Sequence, residues 1–185
     1  MNEIYKARLG LIPVLAKKHS SGHIGRTALM KYMYFLQTLR SVPLGYNFTL
    51  YSYGPFDSDV LSDLSSAEAS KIVESSPILF SGGYGYQIRA SVNAEKMEER
   101  VRPFLAEHAR DIDWLFEEFG SLNSADLELT STIIYVDREL ADEHLPCHSS
   151  EIVARVKEIK PHFERNEIQQ ALDSLLRKRL LTCIE

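Results

Sequence analysis

The chain is poor in the features that mark specialised protein classes. Its 185 residues include two cysteines, Cys147 and Cys183. Disulfide frameworks belong to small, cysteine-dense secreted domains, so both are read as free thiols. No run approaches the ~18 apolar residues of a membrane-crossing helix, and no membrane association is expected. The opening stretch MNEIYKARLGLIPVLAKKH is interrupted by basic residues and does not read as a signal peptide, so a cytoplasmic protein is expected. Low-complexity tracts and internal repeats are missing. So is a phosphate-binding loop: SGGYGYQ is glycine-rich, but it lacks the Lys-Ser/Thr pair and joins two expected strands.

The composition is otherwise ordinary, with 44% hydrophobic and 25% charged residues. That suits one good core or two small cores packed together. The net charge of -5 hides a polarity along the chain. Residues 1–50 hold seven Lys/Arg (Lys6, Arg8, Lys17, Lys18, Arg26, Lys31 and Arg40) against the single acid Glu3. Residues 101–150 hold three basic and eleven acidic residues. A basic head and an acidic middle can bind an acidic partner, pair across a homodimer, or neutralise one another within the chain.

Hydrophobic spacing predicts a helix over 3–19, with Ile4, Leu11, Ile12 and Leu15 on one stripe and Pro13 as a kink or late start. RTALMKYMYFLQTLRSV reads as the strongest helix, with Thr27 as N-cap. YNFTLYSYG alternates like a half-buried strand, and Gly54-Pro55 then turns the chain. Asp57 or Ser58 caps the following helix, where Asp57 and Asp59 favour the positive end of the dipole. SPILFSGGYGYQIRAS reads as two short strands around Gly82-Gly83. A helix around Met97 and Val101 follows, then one from Pro103 to Gly120. Another helix spans SADLELTSTIIYVDREL, and ADEHLPCHSS is a loop. Ser149-Ser150 caps the next helix, ERNEIQQALDSLLRKRLL forms the last, and TCIE is a candidate strand.

Helix, loop, helix, strand, helix, hairpin is the order of a winged helix. The expectation is therefore a mainly helical α+β protein. Residues 1–92 form a winged-helix-like module with a small antiparallel sheet. Residues 93–185 form a helical region packed on it, with a second helix-turn-helix-like segment near the end.

Two stretches also carry a family resemblance. GRTALMKYMYFLQ places Leu29, Lys31, Tyr34 and Phe35 along one helix, and YSYGPFDSDVLSDL supplies Tyr51, Tyr53, Gly54, Pro55, Phe56 and Asp63. Together they resemble the YwgA-like group of uncharacterised bacterial proteins and, more distantly, the Panacea (SocA-like) antitoxin domain. SSEIVARVKEIKPHFERNEIQQALDSLL is similar to the closing part of YwgA-like chains. Met30 departs from the Panacea pattern, which often has glutamine before its lysine. The resemblance implies a regulatory, antitoxin-like role. It gives Gly54, Pro55 and Phe56 a structural part at the strand-to-helix corner.

Candidate binding residues follow from residue chemistry. Lys17, Lys18, Arg26 and Lys31 form a basic patch in and after KKHSSGHIGR. Eight of the nine tyrosines lie within residues 5–86, and exposed ones such as Tyr51 and Tyr53 can stack on bases or rim a core. Arg177, Lys178 and Arg179 close the last helix. His144, Cys147 and His148 are soft zinc ligands close in sequence, but a structural site needs four, so a surface loop is the simpler reading. No cofactor, metal or enzymatic activity is expected. The leading expectation is a regulator that binds a protein partner, such as a toxin or another regulator. The alternative is a winged-helix nucleic-acid-binding transcriptional regulator. Acids at Asp57, Asp59, Asp63 and Glu68 would repel phosphates and favour the former.

Overall fold

The computed structural model describes residues 2–80, 83–145 and 148–182. In chain order the elements are α1 (Glu3–Lys18), α2 (Arg26–Arg40), β1 (Thr49–Tyr51), β2 (Gly54–Phe56), α3 (Ser58–Ala69), β3 (Val73–Phe80), β4 (Gly83–Ala90), α4 (Ala94–Arg100), α5 (Arg102–Glu107), α6 (Ala109–Phe119), α7 (Ser124–Asp142), α8 (Ser149–Ile159) and α9 (Arg165–Arg177). The fold is α+β and mainly helical, as expected, and the described residues form two antiparallel sheets of two strands each.

The chain divides into two compact units. One comprises residues 1–48 and 57–122, the other residues 49–56 and 123–185. The division differs from the expected boundary at residues 92 and 93. The helices α4 to α6 belong with the first unit, and the β1–β2 hairpin crosses into the second.

In the first unit α2 is the most buried helix, with Leu29, Met33, Phe35 and Leu36 fully enclosed. Phe35 stacks on Phe119 of α6 with ring centroids 4.3 Å apart. The helix is capped by Gly25 rather than Thr27. An antiparallel bridge between Ile24 and Ile88 holds the backbone extended up to that point, so the helix starts at once after it. The α1 helix continues through Pro13. A Cβ on Gly10 would overlap the Val101 side chain, so this glycine sets how closely α1 approaches the end of α4. The expected helix from Pro103 to Gly120 is two helices, parted at His108, whose Nδ1 lies 3.1 Å from Asp111 Oδ2. Asp57 caps α3 as expected, accepting from the Asp59 amide at 2.8 Å. In the β3–β4 hairpin Val73 faces Ala90 and Phe80 faces Gly83. Gly82, in the expected turn, lies outside the described residues.

In the second unit α7 is enclosed from Leu127 to Ile134 and packs against α8, α9 and β2. Asn123 caps it, accepting from the amides of Ala125 and Asp126 at 2.9 and 3.0 Å. Gly54-Pro55 is not the turn of the hairpin but the start of β2, and the turn is Ser52-Tyr53. Tyr46 to Phe48 precede the strand instead of extending it. Gly54 has φ +86, a conformation that L side chains rarely adopt, and this allows the chain to enter β2 directly. The N-cap of α8 is His148, one residue before Ser149. Buried Asp137 accepts from the Thr182 amide at 2.9 Å and its hydroxyl at 2.8 Å, which ties residue 182 to α7. Cys183 and the rest of TCIE after Thr182 lie outside the described residues.

Candidate interaction surfaces

The β1–β2 hairpin is anchored from below and open above. Lys160, at the C-terminal end of α8, is 2% exposed. Its ammonium lies 2.8 Å from Glu128 Oε1 of α7, so a buried cation is matched by a buried anion. The same ammonium donates to the carbonyl of Ser52, and to that of Tyr51 at 3.5 Å. His162 Nε2 adds a third group, 3.5 Å from Glu128 Oε1. Backbone carbonyls at the hairpin turn thus gain a donor from the interior. Gly54 and Pro55 are buried, and Phe56 is half-buried with its ring 5.6 Å from that of Tyr51. Above this base Tyr51 and Tyr53 are 65% and 70% exposed.

The basic head is largely neutralised within the first unit. Lys17 pairs with Glu98 at 2.8 Å and Lys18 with Asp113. Arg40 donates to Asp111 at 2.8 Å. Burial works against ionisation of Asp111, but hydrogen bonds from His108 and Arg40 outweigh it and hold the carboxyl below its usual range. Arg8 donates to the carbonyls of Leu44 and Gly45, each at 2.6 Å, and lies 3.6 Å from Asp63. Tyr46 donates to Asp63 at 2.8 Å. Burial raises the Asp63 carboxyl above its ordinary value and pushes the Tyr46 hydroxyl well above its own. Lys31, placed in the basic patch by sequence, is 2% exposed, because it sits on the enclosed part of α2. Arg26 is exposed, and its guanidinium lies over the Tyr86 ring at 3.7 Å.

The solvent side of α3 offers little to a phosphate. Ser62, Ser65 and Ser66 donate their hydroxyls back to carbonyls of their own helix, and the exposed charge in its first turn is Asp59. In the second unit Arg177, Lys178 and Arg179 are all exposed at the end of α9. His144 Nδ1 lies 3.2 Å from its helix carbonyl at Ala141, His148 caps α8, and Cys147 lies outside the described residues. Among the described residues no group of three His, Cys, Asp or Glu could hold a metal ion. No described helix is long and apolar enough to cross a membrane.

Compared with known proteins, the chain matches no family model and no curated protein.

Of the residues singled out in sequence, the structure places Tyr51, Tyr53 and Arg26 at the surface, and sequence reasoning did not point to Lys160, Glu128 or Asp137. A usable signal exists for Glu128: it sits in LELTSTII, where a charge inside a nearly all-round enclosed helix calls for a buried counter-charge. Lys160 gives no such local sign.

Proposed function

We propose that the chain is a non-enzymatic regulatory module that acts by binding a protein partner, as the antitoxin-like resemblance implies. The observation that carries this reading is the exposure of Tyr51 and Tyr53 on a hairpin clamped by buried Lys160. Tyrosines held on a rigid base are the residues that dominate protein interfaces, because they bury much area at little entropic cost. The local neutralisation of Lys17, Lys18 and Arg40 supports the same reading, since paired lysines and arginines offer phosphates little net charge.

The nucleic-acid reading keeps one favourable observation. Arg177, Lys178 and Arg179 are exposed at the end of α9, and α8 and α9 follow one another as in a helix-turn-helix. The order α1, α2, α3, β3, β4 also supports a winged-helix reading of the first unit, although that fold serves protein and nucleic-acid binding alike.

The test is affinity capture by the wild-type chain and by Tyr51→Ser/Tyr53→Ser, with anisotropy of labelled DNA and RNA measured alongside from ~50 to 200 mM salt. A protein retained by wild type and lost by the double variant is expected, with no salt-steep nucleic-acid binding. Tight binding to nucleic acid that Arg177→Glu/Arg179→Glu abolishes would replace this reading by the alternative.

A further inference from the structure

The β3–β4 hairpin of the first unit carries a second aromatic surface, on different residues from Tyr51 and Tyr53. Its register sets Leu79 opposite Tyr84, Pro77 opposite Tyr86 and Ser75 opposite Ile88. Directly opposed residues share a face of the sheet. Along this face burial falls steadily toward the tip. Ile88 is enclosed and bridged to Ile24. Tyr86 is half-buried beneath Arg26. Tyr84 meets Tyr86 edge-on at 5.6 Å and is 59% exposed, and Leu79 beside it is 84% exposed. Pro77 removes a backbone donor from the middle of β3, so a further strand could not pair fully along that edge. Recognition here therefore falls to side chains.

Arg26 gives the face its charge. Of the seven basic residues in the head, it is the one that is exposed and has no carboxylate partner among the described residues. A guanidinium held over a ring still has edge N–H groups able to grip a carboxylate as a fork. The Tyr86 contact also limits its freedom before binding, which lowers the entropic cost of the grip.

We infer that Arg26, Tyr86, Tyr84 and Leu79 form a docking site for a segment of a protein partner that is both acidic and apolar. A carboxylate meets the Arg26 fork, and a neighbouring apolar side chain covers Tyr84 and Leu79. The inference rests on the protein-binding reading but uses a separate surface. Nucleic acid is disfavoured on two counts. Among the described residues that the register and the ring contact place on this face, Arg26 is the one cation, where a tracked backbone needs several. Leu79, 84% exposed at the tip of the face, offers no ring for a base.

The test uses the full chain, labelled with nitrogen-15, and three probes: a capped peptide of alternating Glu and Leu, the same peptide with Lys for Glu, and oligo-dT. The acidic peptide is expected to shift the amides of residues 24–27, 78–80 and 83–88, and the lysine peptide is expected to leave them in place. Arg26→Gln and Tyr84→Ser should each weaken binding about tenfold or more, as loss of a central interface contact does. Arg26→Lys should weaken it too, because the fork is lost while the charge remains. Spectra of the free variants report whether each has folded. Three results would overturn the inference: no shifts at about millimolar acidic peptide, shifts that ignore Arg26→Gln, or tighter binding of oligo-dT at the same amides. Tyr51→Ser/Tyr53→Ser should leave these shifts intact. Failure here with partner capture intact removes this surface alone, and the reverse outcome removes the Tyr51/Tyr53 reading alone.

Discussion

Replacing Lys160 by methionine keeps most of the aliphatic stem and removes the ammonium. Glu128 would then stand 7% exposed with the His162 ring nitrogen, 3.5 Å away, as a remaining neighbour, and the Ser52 carbonyl would lose its buried donor. Breaking a buried pair by removing one partner costs about 3–5 kcal/mol. Ser52 lies in an exposed turn, so the loss of its hydrogen bond adds only about 0.5–1.5 kcal/mol, and the two effects overlap because one ammonium serves both groups. A loss of roughly 3–5 kcal/mol is a large part of the ~5–15 kcal/mol that stabilises a folded protein. For a chain of this size it corresponds to a fall in Tm of roughly 6–20 °C. Urea unfolding followed by circular dichroism measures it directly. The Lys160→Met/Glu128→Met double variant should recover much of the loss, because an apolar pair leaves no orphan charge. Hydrogen exchange at the β1–β2 hairpin should stay fast in the double variant, since the turn carbonyls still lack their donor. A Lys160→Met penalty below about 1 kcal/mol, or strictly additive single losses, would refute the clamp.

Three further outcomes are expected. Gly10→Ala forces a methyl into Val101 and should cost about 1–3 kcal/mol, with Gly10→Ala/Val101→Ala less destabilised than additivity predicts in thermal unfolding. Asp111 has a lowered carboxyl pKa, so its contribution is full above the ordinary value of 3.8 and is lost as pH falls through the lower folded value. The stability gap between wild type and Asp111→Asn should therefore close on acidification below that value. Tyr46→Phe removes the buried donor 2.8 Å from Asp63 and should cost about 1.5–3 kcal/mol. Asp63 already holds its proton more tightly than usual through burial, so losing this donor raises it further. The Tyr46→Phe deficit should grow as pH rises through the carboxylate range.

Much of the fold was legible where the signal is local. The apolar period of α2, the Asp57 cap and the paired runs around Gly82-Gly83 each follow from neighbours in sequence. The hairpin at Tyr51 was misread because Tyr46 to Tyr53 alternate regardless of where pairing starts, and a turn at Ser52-Tyr53 has no glycine or proline of its own. Gly54-Pro55 reads as the turn, whereas the backbone freedom of Gly54 serves entry into β2. The break at His108 likewise lacks a breaker residue; the His108 side chain instead reaches across to Asp111. The binding residues were harder still. Lys17, Lys18 and Arg40 meet acids more than 70 positions away, and the Lys160 contact to Ser52 spans 108 positions. No local pattern marks such partners, so a patch that is basic in sequence becomes neutral in space, and Arg26 emerges only when the others are accounted for.

The most direct test of protein recognition is photo-crosslinking in cells from a benzophenone side chain at position 53, with the products split between nuclease and protease. A discrete adduct that survives nuclease and collapses with protease is the expected result. An adduct destroyed by nuclease, or none at all from a folded chain, would contradict it.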